Sequence, residues 1–426
     1  MTTPYRRAAL LAAATLTALL AVPAPAAFAA RAAGTPDRPW ALDGSGECTF
    51  PMKKQIEGTP WPLQRVLLDE LWQDTKGKGV RVAVIDTGVD DVNPQLRTAV
   101  DAKSGKDYLK PDKENPGFGD EMRGKTDGTV DEVGHGTKVA GIIAARPRKG
   151  TGFVGLAPEA TIIPIRQNDE KNSGKSDTMA QAIDWAVAKG AHVINISQDT
   201  TQPLDADSPM ARAVARALAR QIVVVASAGN DGMDGKLKNT YPAAFPGVLA
   251  VASSDRNNER AAFSQSGTFV GVAAPGVDIV STVPGGGQCV DNGTSFSAPY
   301  VAGVAALLRA KYPHWTAAQI VARIEQTAVR SINGRDNHVG WGVVDPVRAL
   351  ADLPDAGAAP PSSPTPDPGP ARPPAPEPAR LALSETPQER SERLATYTLG
   401  IGVVLVAVVA GTAVVIRDSR RREGVR

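Results

Sequence analysis

The sequence predicts an α/β domain with a mainly parallel central sheet flanked by helices. Three observations carry that prediction. Short, β-branched apolar runs recur through the middle of the chain, as strands buried on both faces require. Segments with helical spacing alternate with them, which is the pattern of parallel crossover units. The strand-like runs end in polar residues, and ligands of such folds sit at the carboxyl ends of the strands.

The elements follow in order. "VRVAVID" (Val80–Asp86) reads as a buried strand. The polar, Gly/Lys/Asp-rich segment Asp101–Asp131 reads as a long surface loop. "TMAQAIDWAVAKG" (Thr178–Gly190) has helical spacing and a terminal glycine. "AHVINIS" (Ala191–Ser197) is strand-like again, and "SPMARAVARALARQ" is a helix opened by serine and proline. "IVVVASAGN" (Ile222–Asn230) and "VLAVASS" (Val248–Ser254) add two strands. Two helices follow, over Ser297–Tyr312 and Thr316–Thr327. Asp86, Ser197 and Asn230 therefore fall at strand ends.

The 426 residues suit one large α/β domain with appended segments. A net charge of +2 gives no basic field for nucleic acid, and 5% aromatics leave little for base stacking. Nucleic acid is therefore not an expected partner. The N-terminus has Arg6 and Arg7, an apolar run Ala8–Val22, and the small-residue site Ala27-Phe28-Ala29. That is the layout of a cleaved signal peptide over residues 1–29. Residues 30–64 form a proline-containing N-terminal extension, too short for a stable separate domain. It is expected to wrap the globular domain, 65–353. A proline-rich linker, 354–394, favours extended polyproline structure and a stalk. "LGIGVVLVAVVAGTAVVI" (Leu399–Ile416) is uncharged and long enough to span a bilayer, so residues 395–416 read as one transmembrane helix. The basic tail 417–426 then lies in the cytoplasm. Both signals give a single-pass type I protein of the cell membrane, with the globular domain outside.

Cys48 and Cys289 are the two cysteines. Outside the cytoplasm they allow one intramolecular bridge, which would tie the extension to the loop before Ser295. Two free thiols are the alternative. Neither has metal-ligand spacing, so no metal site is expected.

"DNGTSFSAPYVAGVAALL" (Asp291–Leu308) raises the question of chemistry, because Ser295 opens a small, apolar helix. A serine hydroxyl is a weak nucleophile until a base takes its proton, and histidine titrates in the right range. Of four histidines, His314 and His338 lie in turns and His192 opens a strand. His135, in "EVGHGTKVAGIIAA", stands between two glycines at a helix start, where another backbone can approach closely. A neutral imidazole needs a carboxylate to fix its tautomer. Asp86 ends the first strand in "AVIDTGVD", though a hydrogen-bonded turn explains an acid there equally. A developing oxyanion needs donors. The Ser295 amide, in the first turn of its helix, is one. Asn230 in "ASAGN" is a second, or a turn asparagine.

Together, "VIDTGVD", "GHGTKVAG", "ASAGN" and "GTSFSAP" resemble the motifs of the subtilase serine proteases, in the subtilisin order Asp, His, Ser. The resemblance covers about residues 65–353. It implies a seven-stranded sheet and proteolysis through an acyl-enzyme. By position, Asp86 matches the triad aspartate, His135 the general base, Ser295 the nucleophile and Asn230 the oxyanion-hole donor. Ser197, Gln198 and Asp199 stand where subtilases usually carry Ser-Leu-Gly, the segment that pairs with substrate. Gln198 and Asp199 imply a narrower or more polar cleft. Asn93-Pro94 stands for a frequent His-Pro, and Lys138 for a frequent histidine. No calcium site can be matched, and no cofactor is implied.

The short extension, "IIPIRQN" (Ile162–Asn168), the loop before "GHGT", the proline linker and the single C-terminal span are similar to mycosins. These are membrane-anchored subtilases associated with type VII secretion. Some members have more cysteines, so any second disulfide is absent here. The resemblance implies two jobs: cleavage of a secreted protein substrate, and a structural part in the membrane secretion complex. The second needs no catalytic residue, so a purely structural role is the alternative reading.

Overall fold

In a computed structural model, residues 48, 50–52, 55–109, 125–169, 174–330, 332, 334–352, 364 and 387–423 are described. The expected signal peptide, all of the segment 30–47 and nearly all of the linker before residue 387 lie outside them. The chain separates into a unit ending at Asp367 and one beginning at Pro368.

The first unit is built on a seven-stranded sheet. Its strands are β1 (Arg81–Asp86), β2 (Lys106–Asp107), β3 (Thr161–Arg166), β4 (Val193–Ile196), β5 (Val223–Ser227), β6 (Leu249–Ser254) and β7 (Val270–Pro275). The order is β2-β3-β1-β4-β5-β6-β7, and every neighbouring pair is parallel. An antiparallel hairpin of β8 (Ile279–Thr282) and β9 (Gln288–Asp291) stands beside it.

Both faces of the sheet are apolar because side chains alternate along each strand. Val82, Val84, Val193, Val223 and Val225 join one core with the helices His135–Ala144 and Thr294–Lys311. Ala83, Ile85, Ile194, Ile196, Val224 and Ala226 join the other with the helices Ser176–Ala188 and Pro209–Ala219. The helix starts carry their expected caps. Ser208 Oγ accepts from the Ala211 N–H at 3.2 Å with Pro209 in the first turn. Thr316 and Gln319 form a capping box for Ala317–Thr327.

One stretch differs from its sequence reading. The segment from Asp101 to Asp131 is not all loop, because Lys106–Asp107 adds the edge strand β2 to β3. β3, which carries most of "IIPIRQN", contains Pro164, which pairs across from Val84 where β2 does not yet reach. β2 covers only Ile165 and Arg166, so proline's missing donor costs no edge pairing there.

The described part of the N-terminal extension lies along the domain. Cys48 and Cys289 form a disulfide with their Cα atoms 6.0 Å apart. The Met52 N–H donates to Gly286 O, and the Ile56 N–H to Gln288 Oε1 at 2.8 Å. The second unit contains a helix, Pro387–Glu423. Its apolar stretch has a mean hydropathy of 2.8 and is long enough to cross a membrane.

Candidate active site

Asp86, His135, Asn230, Ser295 and the Ser197–Asp199 segment converge at the carboxyl ends of β1, β4 and β5. Asp86 is the last residue of β1, and His135 is the first of its helix. His135 Nδ1 and Asp86 Oδ1 are 2.6 Å apart. The Thr87 N–H also donates to Asp86 Oδ1, at 2.8 Å. Asp86 is fully buried, His135 is 3% exposed and Ser295 7% exposed. Burial works against a charged His135, but Asp86 beside it outweighs that and raises the imidazole above its ordinary value.

The small neighbours of His135 do what the sequence suggested. A Cβ on Gly136 would collide with Gly88 O and stand 3.0 Å from Asp86 Cβ. Gly134 sits at φ 79°, a conformation that favours glycine.

Asp131 holds this helix start and was read from sequence only as the end of a loop. Its Oδ1 accepts from Thr87 Oγ1 and the Gly134 N–H, each at 2.8 Å. Its Oδ2 accepts from the Thr137 N–H at 2.8 Å and Thr137 Oγ1 at 2.5 Å. The signal was present: an acid just before a helix that starts with a histidine and ends its first turn on threonine.

Ser295 is the second residue of its helix, so its amide has no acceptor within it. Pro299 lacks the N–H that would bond to Ser295 O one turn back. Ser197 Oγ donates to that carbonyl instead, at 2.8 Å. In return Ser295 Oγ donates to Ser197 O at 3.0 Å. His135 Nε2 is buried and has no protein partner among the described residues. The His135 and Phe296 rings are 5.4 Å apart, so the residue next to Ser295 touches the imidazole.

Asn230 is turned by Thr294. Its Oδ1 accepts from the Thr294 N–H and Thr294 Oγ1, each at 3.0 Å. A backbone N–H is a donor only, which fixes the amide's orientation. Nδ2 therefore points the other way, 3.6 Å from where a Cβ on Gly293 would stand. Thr294, next to Ser295, was not singled out from the sequence.

Lys138 pairs with Asp291 at 2.6 Å, and both are buried. Its ammonium lies 5.9 Å from the Phe296 ring centroid. His192 is engaged elsewhere, its Nδ1 accepting from the Arg81 N–H at 3.0 Å. Among the described residues no group of His, Cys, Asp or Glu could hold a metal ion.

Such an arrangement can orient an imidazole, take a proton from a hydroxyl and stabilise an oxyanion, the parts needed for acyl transfer. Comparison with known proteins agrees. Residues 77–342 match the model of the Subtilase family. Subtilisin E of Bacillus subtilis (strain 168) is 36% identical over 297 residues, 69% of this chain and 72% of that protein. Subtilisin Savinase of Lederbergia lenta is 36% identical over 290 residues, 68% of this chain and 97% of that one. Among solved structures, the MycP3 protease of the type VII (ESX-3) secretion system matches with a TM-score of 0.60 at 34% identity. That match covers 70% of this chain and 91% of that one. MycP1 from Mycobacterium smegmatis matches with a TM-score of 0.61 at 32% identity, covering 74% and 89%. With mycosins as structural neighbours and its core matched throughout, this chain belongs to the Subtilase family and is a serine endopeptidase.

Proposed function

We propose that the protein is a membrane-anchored protease that cleaves secreted proteins in association with a type VII secretion system. The observation that carries the catalytic part is the buried 2.6 Å contact of His135 Nδ1 with Asp86, which leaves Nε2 unpartnered beside the Ser295 helix. The Ser295 side chain turns about its Cα–Cβ bond, between staggered positions, from Ser197 O to His135 Nε2. His135 takes the proton as Ser295 Oγ attacks the substrate carbonyl. Asp86 stabilises the imidazolium. The Asn230 Nδ2 group and the Ser295 amide receive the oxyanion. His135 then gives its proton to the leaving amine, and water releases the acyl group by the same steps. Ser197, Gln198 and Asp199 form the edge along which the substrate lies.

The domain assignment follows the same reading. Residues 1–29 are removed as a signal peptide, 30–64 wrap the peptidase domain 65–353, and 354–394 act as a stalk. Residues 395–416 cross the membrane and 417–426 face the cytoplasm. The apolar C-terminal helix and the arginines after it support this type I arrangement. The type VII association rests on the solved mycosins that the chain resembles.

Complementation tests the proposal. In a host lacking the protein, the intact chain restores secretion and substrate processing, while Ser295→Ala abolishes processing. Failure of the intact chain contradicts the association. Full secretion with Ser295→Ala assigns the secretion role to the scaffold and leaves cleavage secondary.

A further inference from the structure

Asp199 bridges two walls of the cleft. Its segment begins at Ser197, whose carbonyl accepts the Ser295 hydroxyl. It continues to Thr200, which pairs antiparallel with Tyr241. Across the gap run Ala228, Gly229 and Asn230. A Cβ on Gly229 would stand 2.9 Å from Asp199 Oδ2, 3.5 Å from its Cγ and 3.0 Å from Thr240 Cγ2. The carboxyl therefore reaches the opposite wall and rests against it. Thr240 is held there by its own bond, Oγ1 to Ala228 O at 2.8 Å.

Among the described residues, no hydrogen bond or ion pair satisfies the Asp199 side chain. Burial, with Asp231 nearby on the loop after β5, lifts its pKa to about 7. Asp199 is half-buried, with its carboxyl set against Gly229 in the gap between the two walls rather than sealed in the core, the placement of a residue that faces the site.

The residue whose carbonyl meets Ser295 and Asn230 must put its side chain within a few ångströms of both. The gap between segments 197–199 and 228–230 is the space at hand. We propose that Asp199 closes this slot and confines the protease to substrates with Gly, Ala or Ser before the scissile bond. The inference rests on Ser295 being the nucleophile. A leucine or phenylalanine side chain would overlap the carboxyl. A lysine would meet an acid, but its stem must pass the point where Asp199 touches Gly229.

The test is digestion of a proteome-derived peptide library by the full chain, with cut sites read by mass spectrometry. Gly, Ala and Ser should precede the cut at least 10-fold more often than Leu, Phe or Lys, relative to their abundance. Asp199→Gly should raise Leu and Phe relative to Ala by 10-fold or more, a gain that misfolding cannot produce. A wild-type preference for Leu or Phe would overturn the proposal, since the slot would be open. A preference for Lys or Arg would also overturn it, since the acid would then read charge. Fluorophosphonate labelling of Ser295 is followed in parallel. Labelled protein with unselective cutting refutes the role of Asp199 alone. Absence of labelling refutes the nucleophile and this inference with it.

Discussion

His135 Nδ1 lies 2.6 Å from Asp86 Oδ1, and both side chains are buried. Because Asp86 raises the imidazole pKa, the base is neutral only at higher pH, and activity should rise with pH through a midpoint above the ordinary 6.5. Asp86→Asn removes that attraction. The midpoint should fall, and kcat should drop by about 10⁴. Profiles of kcat/KM against pH for both proteins check the direction and the size.

Asn230 is expected to act on the transition state. With Thr294 holding its Oδ1, the amide donor is oriented before substrate arrives. Asn230→Ala should lower kcat by about 10²–10³ and change KM little. Steady-state kinetics on one peptide substrate separate the two parameters.

Lys138 and Asp291 form a buried pair directly behind the site. Lys138→Met leaves Asp291 buried without its counter-ion and should cost about 3–5 kcal/mol of stability. Lys138→Met with Asp291→Leu should recover most of that loss, because the charge is gone with its partner. Urea unfolding of the single and double variants measures both.

The Cys48–Cys289 bridge closes a long loop, a sequence separation of 241 residues. Cys48→Ser with Cys289→Ser should cost about 2–5 kcal/mol, mainly by freeing the unfolded chain. It should also release the segment before Gln55 from Gly286 and Gly287. Limited proteolysis detects the release, and urea midpoints detect the destabilisation.

Much of this was legible because the sequence and the fold agree at the strands. Val80–Asp86 was read as a strand ending on an acid, and β1 is Arg81–Asp86. The Ser295 helix begins three residues earlier than its apolar pattern implied, at Thr294, since Thr294 and Ser295 are held by Asn230 and Ser197 rather than by apolar packing. β2 was invisible because two residues, Lys106 and Asp107, carry no periodicity. The β8–β9 hairpin was missed behind the Pro284 and glycine turn, where register is set by tertiary partners. Thr294 acts through hydrogen bonds to Asn230, far along the chain, which no local pattern reveals, whereas Asp131 holds mainly the nearby helix start at Gly134 and Thr137. Asp199 was recognised as a departure, but its contact with Gly229 is a product of the sheet order.

The central claim is that Ser295 is a nucleophile activated by His135. The most direct measurement is fluorophosphonate labelling of the purified full chain, with the modified residue located by mass spectrometry. The account predicts labelling at Ser295 that disappears in His135→Ala. A folded protein that labels equally well without His135, or does not label at Ser295, contradicts it.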